Sequence, residues 1–266
     1  MQTNSHASHY QARLPAADGR IHYDDSDHAT WQQLIQRQMS TLPNRACDAY
    51  LLGLEQLALP HDRIPQLKEI NQVLQPASGW QVVQVPALIS FDQFFTLLAN
   101  QQFPVATFIR SQQEIDYLQE PDVFHEIFGH CPMLMQPDFA QFTHCYGKLG
   151  LRASPQDRAF LARLYWLTVE FGLIDSSQGI RIYGGGILSS YAETRYCLLG
   201  DGLSEPQRKD FALLEVLRTP YRIDIQQPIY YVIDRLETLY QLTRLDLMAE
   251  VIKAKRLGLL KPLFPT

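Results

Sequence analysis

The chain has 266 residues, 46% hydrophobic and 11% aromatic, enough apolar material for one large domain or two small ones. A formal charge of −5, with basic residues scattered rather than gathered in a run, excludes the footprint of a nucleic-acid or anionic-membrane binder and favours a small ligand. No uncharged apolar run approaches the ~20 residues of a membrane span, and the N-terminus lacks a signal-peptide core. The four dispersed cysteines (Cys47, Cys131, Cys145, Cys197) form no CxxC pair, so reduced thiols in a cytoplasmic protein are expected.

Residues 1–23 are polar and aperiodic, an expected loose arm with solvated His6, His9 and His22, ahead of one domain over 24–266. From Asp27 the pattern turns helical through Trp31, Leu34 and Met39, and Cys47, Tyr50, Leu51, Leu54 and Leu57 repeat at helical spacing. A further helical pattern covers 64–74, a β-branched strand 80–85, a helix 91–98 and a second short strand 104–110. Beyond these, 137–151 reads as a helix with Phe139, Phe142, Tyr146 and Leu149 inward. Ser154-Pro155-Gln156-Asp157 opens a buried helix that ends at Gly172. Leucines at mixed helical spacing over 232–260 suggest helices folded back onto the domain. The expected fold is therefore mainly α with a few short β-strands.

Chemistry concentrates at 122–130, DVFHEIFGH. Pro121 suits a first helical position, Glu120 and Asp122 suit a helix N-terminus, Gly129 reads as the stop, and Cys131-Pro132 as a bar to continuation. His125 and His130 are five residues apart, about 500° of rotation on an ideal helix, so they converge only if the helix ends between them. Glu170 sits among Trp166, Leu167, Val169 and Phe171 in the last turn of a buried helix, where both desolvation and the helix dipole oppose a carboxylate. It needs a positive partner: Arg163, Arg181 or a metal ion. Two imidazoles and one carboxylate compose the facial triad of non-haem iron, whereas a structural zinc would take four protein ligands.

The segments PDVFHEIFGHCP, LYWLTVEFGL and IYGGGILSSYAE, in that order, resemble the pterin-dependent aromatic amino acid hydroxylases over about residues 25–230, and most closely their bacterial phenylalanine-hydroxylating branch. The resemblance implies the single catalytic domain of that family, with Fe(II) on His125, His130 and Glu170. It implies oxidation of L-phenylalanine to L-tyrosine by O₂ with tetrahydrobiopterin or a related tetrahydropterin. By position, Phe94 and Tyr165 would pack the pterin, the backbone around Leu88 and Ile89 would meet its edge, and Glu126 would reach it near the iron. Arg110 matches the arginine for the substrate carboxylate; Pro121, Trp166 and Phe171 wall the ring; Tyr117, Leu118, Ser189 and Glu193 complete the substrate set. The run Gly184-Gly185-Gly186 lets backbone approach the site closely. Trp166 matches the phenylalanine and tyrosine enzymes, and Ile223 stands where tyrosine hydroxylases tend to carry an acid. Neither an N-terminal regulatory domain nor a C-terminal coiled coil of the animal type is expected, so the protein should be a monomer or small homo-oligomer. Three alternatives stay open: tyrosine or tryptophan hydroxylation, a zinc hydrolase with Glu126 as base, and a non-catalytic module that buries Glu170 against an arginine.

Overall fold

The computed structural model describes residues 10–265. The expectations of solvated His6 and His9 lie outside them. Helix α1 (Asp25–Thr41) begins with a reciprocal cap: the Asp24 carboxylate accepts from the Asp27 N–H at 2.9 Å, and the Asp27 carboxylate from the Asp24 N–H at 3.0 Å. Its inner face carries Trp31, Leu34 and Ile35, whereas Met39 points outward. Helix α2 (Asp48–Leu57) buries Tyr50, Leu54 and Leu57 as its spacing predicts. The helix expected from 64 starts later, as α3 (Leu67–Ser78), because the residue before Pro65 is biased away from helix and extended Gln66 makes the cap with Glu69.

Strands β1 (Gln81–Val85) and β2 (Gln102–Ala106) pair in parallel, with α4 (Phe91–Ala99) as their crossover. The strand expected over 104–110 leaves the ladder after Ala106, and 107–110 carry the chain to Arg110. The chain then passes through α5 (Cys131–Leu134), α6 (Pro137–Arg152) and α7 (Pro155–Tyr165). A second sheet has the order β4-β3-β6-β5 and comprises β3 (Leu173–Ile174), β4 (Arg181–Ile182), β5 (Gln207–Asp210) and β6 (Ile229–Ile233). Sequence periodicity does not mark it, because β3 and β4 are two residues long and β5 is an exposed, charged edge. Helices α8 (Gly185–Leu188), α9 (Tyr191–Leu199) and α10 (Leu213–Arg218) lie between these strands. Val232, expected in a helix, belongs to the buried strand β6; the helices of the tail are α11 (Glu237–Leu242) and α12 (Leu247–Leu257).

One buried apolar cluster runs from Trp31 on α1 to Ala254 on α12, and Phe124, Ile127 and Phe128 at its centre are fully buried. The described part of the N-terminal arm is docked rather than loose. Tyr10 stacks on Phe108 with ring centroids 4.6 Å apart, and the Arg13 N–H donates to the Thr107 carbonyl at 3.2 Å. An aromatic ring and a strand-like backbone bond outweigh the polar composition there. Among the described residues, no helix is long and apolar enough to cross a membrane.

Candidate metal centre and active-site cavity

The histidine helix begins at Val123, two residues later than Pro121 implied. Asp122 caps it, its carbonyl accepting from the Glu126 N–H at 3.0 Å and its carboxylate from the His125 N–H at 3.0 Å. Gly129 does not stop it. The chain winds through His125–His130 as a π-helix and continues into α5, so Cys131-Pro132 opens another turn instead of barring one. Pro132 has no N–H for the Phe128 carbonyl, and the Tyr50 hydroxyl takes that place from α2 at 2.7 Å. The wider π turn brings positions i and i+5 onto one face, so the histidines converge without an end to the helix. Their Nε2 atoms lie 3.2 Å apart.

Glu170 arrives by the same device. Helix α7 ends in a second π-helical segment, Trp166–Glu170, closed by the Phe171 N–H on the Trp166 carbonyl at 2.9 Å. Glu170 Oε2 lies 3.3 Å from His130 Nε2 and 3.7 Å from His125 Nε2. The glycine run packs against this triad: a Cβ on Gly185 would lie 2.5 Å from His130 Nδ1, and one on Gly186 would lie 2.9 Å from Glu170 Oε2. Arginine does not answer the buried carboxylate. Arg163 bonds the Ala159 carbonyl of its own helix, and Arg181 bonds Ile180 and Gln178.

Protonation fits a cation between the three groups. Burial pushes His125 down to about 4, although the Glu170 charge opposes this, so its ring is neutral at pH 7. Burial would raise the Glu170 carboxyl, but His130 and then His125 hold it below the ordinary range. Ser189 Oγ donates to the Gly185 carbonyl at 2.9 Å and accepts from His125 Nδ1–H at 2.9 Å. That tautomer leaves the His125 Nε2 lone pair facing the other two ligand atoms. Two imidazole nitrogens and a carboxylate oxygen, all within 4.8 Å, match a two-histidine, one-carboxylate iron site with positions left open. Cys131 contributes nothing to it; its thiol faces the Glu126 carbonyl.

The triad opens onto a cavity of about 610 Å³ lined by His125, Glu170 and every expected substrate residue: Arg110, Tyr117, Leu118, Pro121, Trp166, Phe171, Ser189 and Glu193. Arg110 is held by Asp122 in a buried bidentate pair, Nε to Oδ2 at 2.8 Å and Nη2 to Oδ1 at 2.9 Å. Asp122 thus joins the substrate wall to the metal helix, a role invisible at a separation of 12 residues. Trp166 lies between Phe171 at 4.6 Å and Tyr221 at 4.8 Å, measured between ring centroids. Of the expected pterin set only Leu88 lines this cavity. Phe94 meets Tyr165 edge to face at 5.4 Å, and Tyr165 directly precedes the π-helical segment that carries Glu170. Glu126 is not the solvated helix residue its charge suggests. Burial, then the Glu170 charge, holds its carboxyl above the ordinary carboxylate range.

A sequence profile of the biopterin-dependent aromatic amino acid hydroxylases matches residues 2–255. The chain belongs to that family. Within it, the chain is 61% identical over 256 residues to a phenylalanine-4-hydroxylase of Pseudomonas aeruginosa, covering 96% of each sequence. The apo phenylalanine hydroxylase of Colwellia psychrerythraea superposes with a TM-score of 0.93 at 50% identity, covering 96% of this chain and 98% of that one. The Chromobacterium violaceum enzyme, solved with iron(III) and oxidised 7,8-dihydrobiopterin, superposes with a TM-score of 0.86 at 45% identity, covering 92% of this chain and 87% of that one. As a member of the family, this hydroxylase is biopterin-dependent.

Proposed function

We propose that the protein is a phenylalanine 4-monooxygenase that converts L-phenylalanine to L-tyrosine with O₂ and a tetrahydropterin, Fe(II) being held by His125, His130 and Glu170. The observation that carries the reading is the three-donor site opening onto an aromatic-walled cavity that also holds Arg110. Iron and pterin, when bound, supply the activation of O₂.

The residues supply position. Asp122 occupies Nε and one Nη of Arg110, which fixes the guanidinium plane and leaves its remaining edge for the substrate carboxylate. Trp166, Phe171 and Pro121 confine the ring, Tyr117 and Leu118 stand at the mouth, and Ser189 keeps His125 in its ligating tautomer. Glu193 adds a carboxyl to the wall. Leu88, Ile89, Phe94, Glu126 and Tyr165 form the pterin side, where the buried Glu126 carboxyl offers a polar contact. Enclosure by these side chains keeps bulk water from the oxidant. Residues 24–266 make up the catalytic domain in this reading, and the protein acts in the cytoplasm as a monomer or small homo-oligomer.

The test is to load apoprotein with Fe(II) or Zn(II) and follow O₂ uptake and tyrosine formation from phenylalanine and a tetrahydropterin. Tyrosine is expected only with iron and pterin together, and not in Glu170→Ala. Zinc-supported turnover without O₂ uptake would refute the assignment.

A further inference from the structure

Stacking on one ring and a tilted contact with another restrict the plane of an indole but leave it free to slide and turn within that plane. Trp166, between Phe171 and Tyr221, is fixed in that respect by its N–H, which donates to the side-chain carbonyl of Gln227 at 3.1 Å. Gln227 precedes β6, is 1% exposed, and has its side-chain NH₂ and backbone N–H engaged as well. Its side-chain NH₂ donates to the Arg222 carbonyl at 2.8 Å and the Ile225 carbonyl at 2.9 Å, and its backbone N–H donates to Glu193 Oε1 at 3.1 Å. An indole N–H can only donate and a main-chain carbonyl can only accept, so the partners themselves assign the amide oxygen and nitrogen.

Three parts of the cavity wall meet at this one residue: its side chain holds Trp166 and the loop that presents Ile223, Asp224 and Ile225, and its backbone N–H holds Glu193. Across the mouth, the Tyr117 hydroxyl comes within 3.5 Å of the Ile223 carbonyl, so the position of that loop also sets the opening. Other residue types do not serve. Glutamate has no donors for the two carbonyls, asparagine is one methylene short, and leucine strands all of the side-chain partners unpaired.

We propose that Gln227 is the positioning residue of the aromatic wall, locking Trp166 in its plane and tying it to Glu193 and the 222–225 loop so that a substrate ring is held at one depth relative to the metal site. It rests on the phenylalanine-hydroxylating reading for the identity of that ring.

The experiment compares Gln227→Leu, Trp166→Phe and the double variant as full-length, iron-loaded proteins labelled with ¹⁵N-tryptophan. It reads the indole N–H resonances, KM for phenylalanine, kcat, and tyrosine formed per tetrahydropterin oxidised. In Gln227→Leu the Trp166 resonance should move upfield and exchange faster, while that of Trp31, bonded to the Pro60 carbonyl at 2.8 Å, stays in place. KM should rise about tenfold and the tyrosine yield per pterin should fall, with the rate of pterin oxidation within about twofold of wild type. In the Trp166→Phe background the same substitution should raise KM by less than it does in wild type, the remainder reflecting the freed 222–225 loop. An unmoved Trp166 resonance, an equal loss in both backgrounds, or a shift of Trp31 as well overturns the proposal. Should the leucine variant fail to fold, Gln227→Glu keeps the indole acceptor but loses the carbonyl donors; KM must then rise with the Trp166 resonance retained, and an unchanged KM overturns the proposal. A wild-type protein that makes no tyrosine defeats the functional reading alone, because the indole resonances still decide whether Gln227 holds Trp166.

Discussion

At the scale of single residues, the site depends on groups that hold the reactive ones. Ser189 is the acceptor that selects the His125 tautomer, and without it the ring can place its proton on the nitrogen that should ligate. Ser189→Ala is therefore expected to weaken Fe(II) binding by roughly 10–100-fold while leaving the metal-free melting temperature near wild type, as metal titration and melting curves would show. Glu193 acts on stability through pH. Its burial outweighs the hydrogen bonds from Tyr230 and the Gln227 N–H and pushes its carboxyl up to about 7, whereas unfolded it titrates near ~4.3. The folded state thus holds the proton more tightly: this contribution to stability is full below the unfolded value and is lost as pH rises to about 7. Glu193→Gln removes that loss, so its stability should gain on wild type between about pH 5 and pH 8. Parallel melting curves over that range would contradict the burial argument.

At the scale of elements, both ligand-bearing helices widen into a π turn where their ligands lie, and α8 closes the site by laying glycine backbone on the imidazole of His130. The close approach has no slack. A Cβ on Gly185 would meet three atoms of the His130 ring at 2.5–2.9 Å, and either the ring or α8 must move. Gly185→Ala should retain its helical content by circular dichroism yet bind well under one iron per chain. Stoichiometric iron in that variant would show that α8 does not constrain the ligand.

At the scale of the whole molecule, a metal on the proposed triad would join distant parts of the chain. The triad links the helix after β2 to the end of α7, and Asp122 ties the same helix to Arg110, so a bound ion stabilises contacts between segments that are apart in sequence. Metal that binds only the folded state adds about 2.7 kcal/mol at a hundredfold excess over its dissociation constant. For a chain of this size that corresponds to roughly 5–10 °C in melting temperature, to be reversed by a chelator. An apoprotein whose melting temperature ignores Fe(II) would mean that the triad does not hold metal in solution.

Much of this was legible in the sequence, because the deciding signals are local. Helical stripes such as that of Tyr50, Leu54 and Leu57 located most helices, and three separated motifs named the family and three candidate ligands that the fold brings together. Glu170 stands out in the sequence because a carboxylate among apolar residues needs a partner wherever the rest of the chain lies. The path by which the ligands meet was not legible: a π turn costs one residue of register, and sequence periodicity cannot separate it from a helix that stops at Gly129. The docking of the arm through Tyr10, the pairing of Arg110 with Asp122, the sheet built on β6, and the hold of Gln227 on Trp166 were decided only by tertiary structure. Each is a contact between residues far apart in the chain, chosen by what burial brings together rather than by any pattern within one segment.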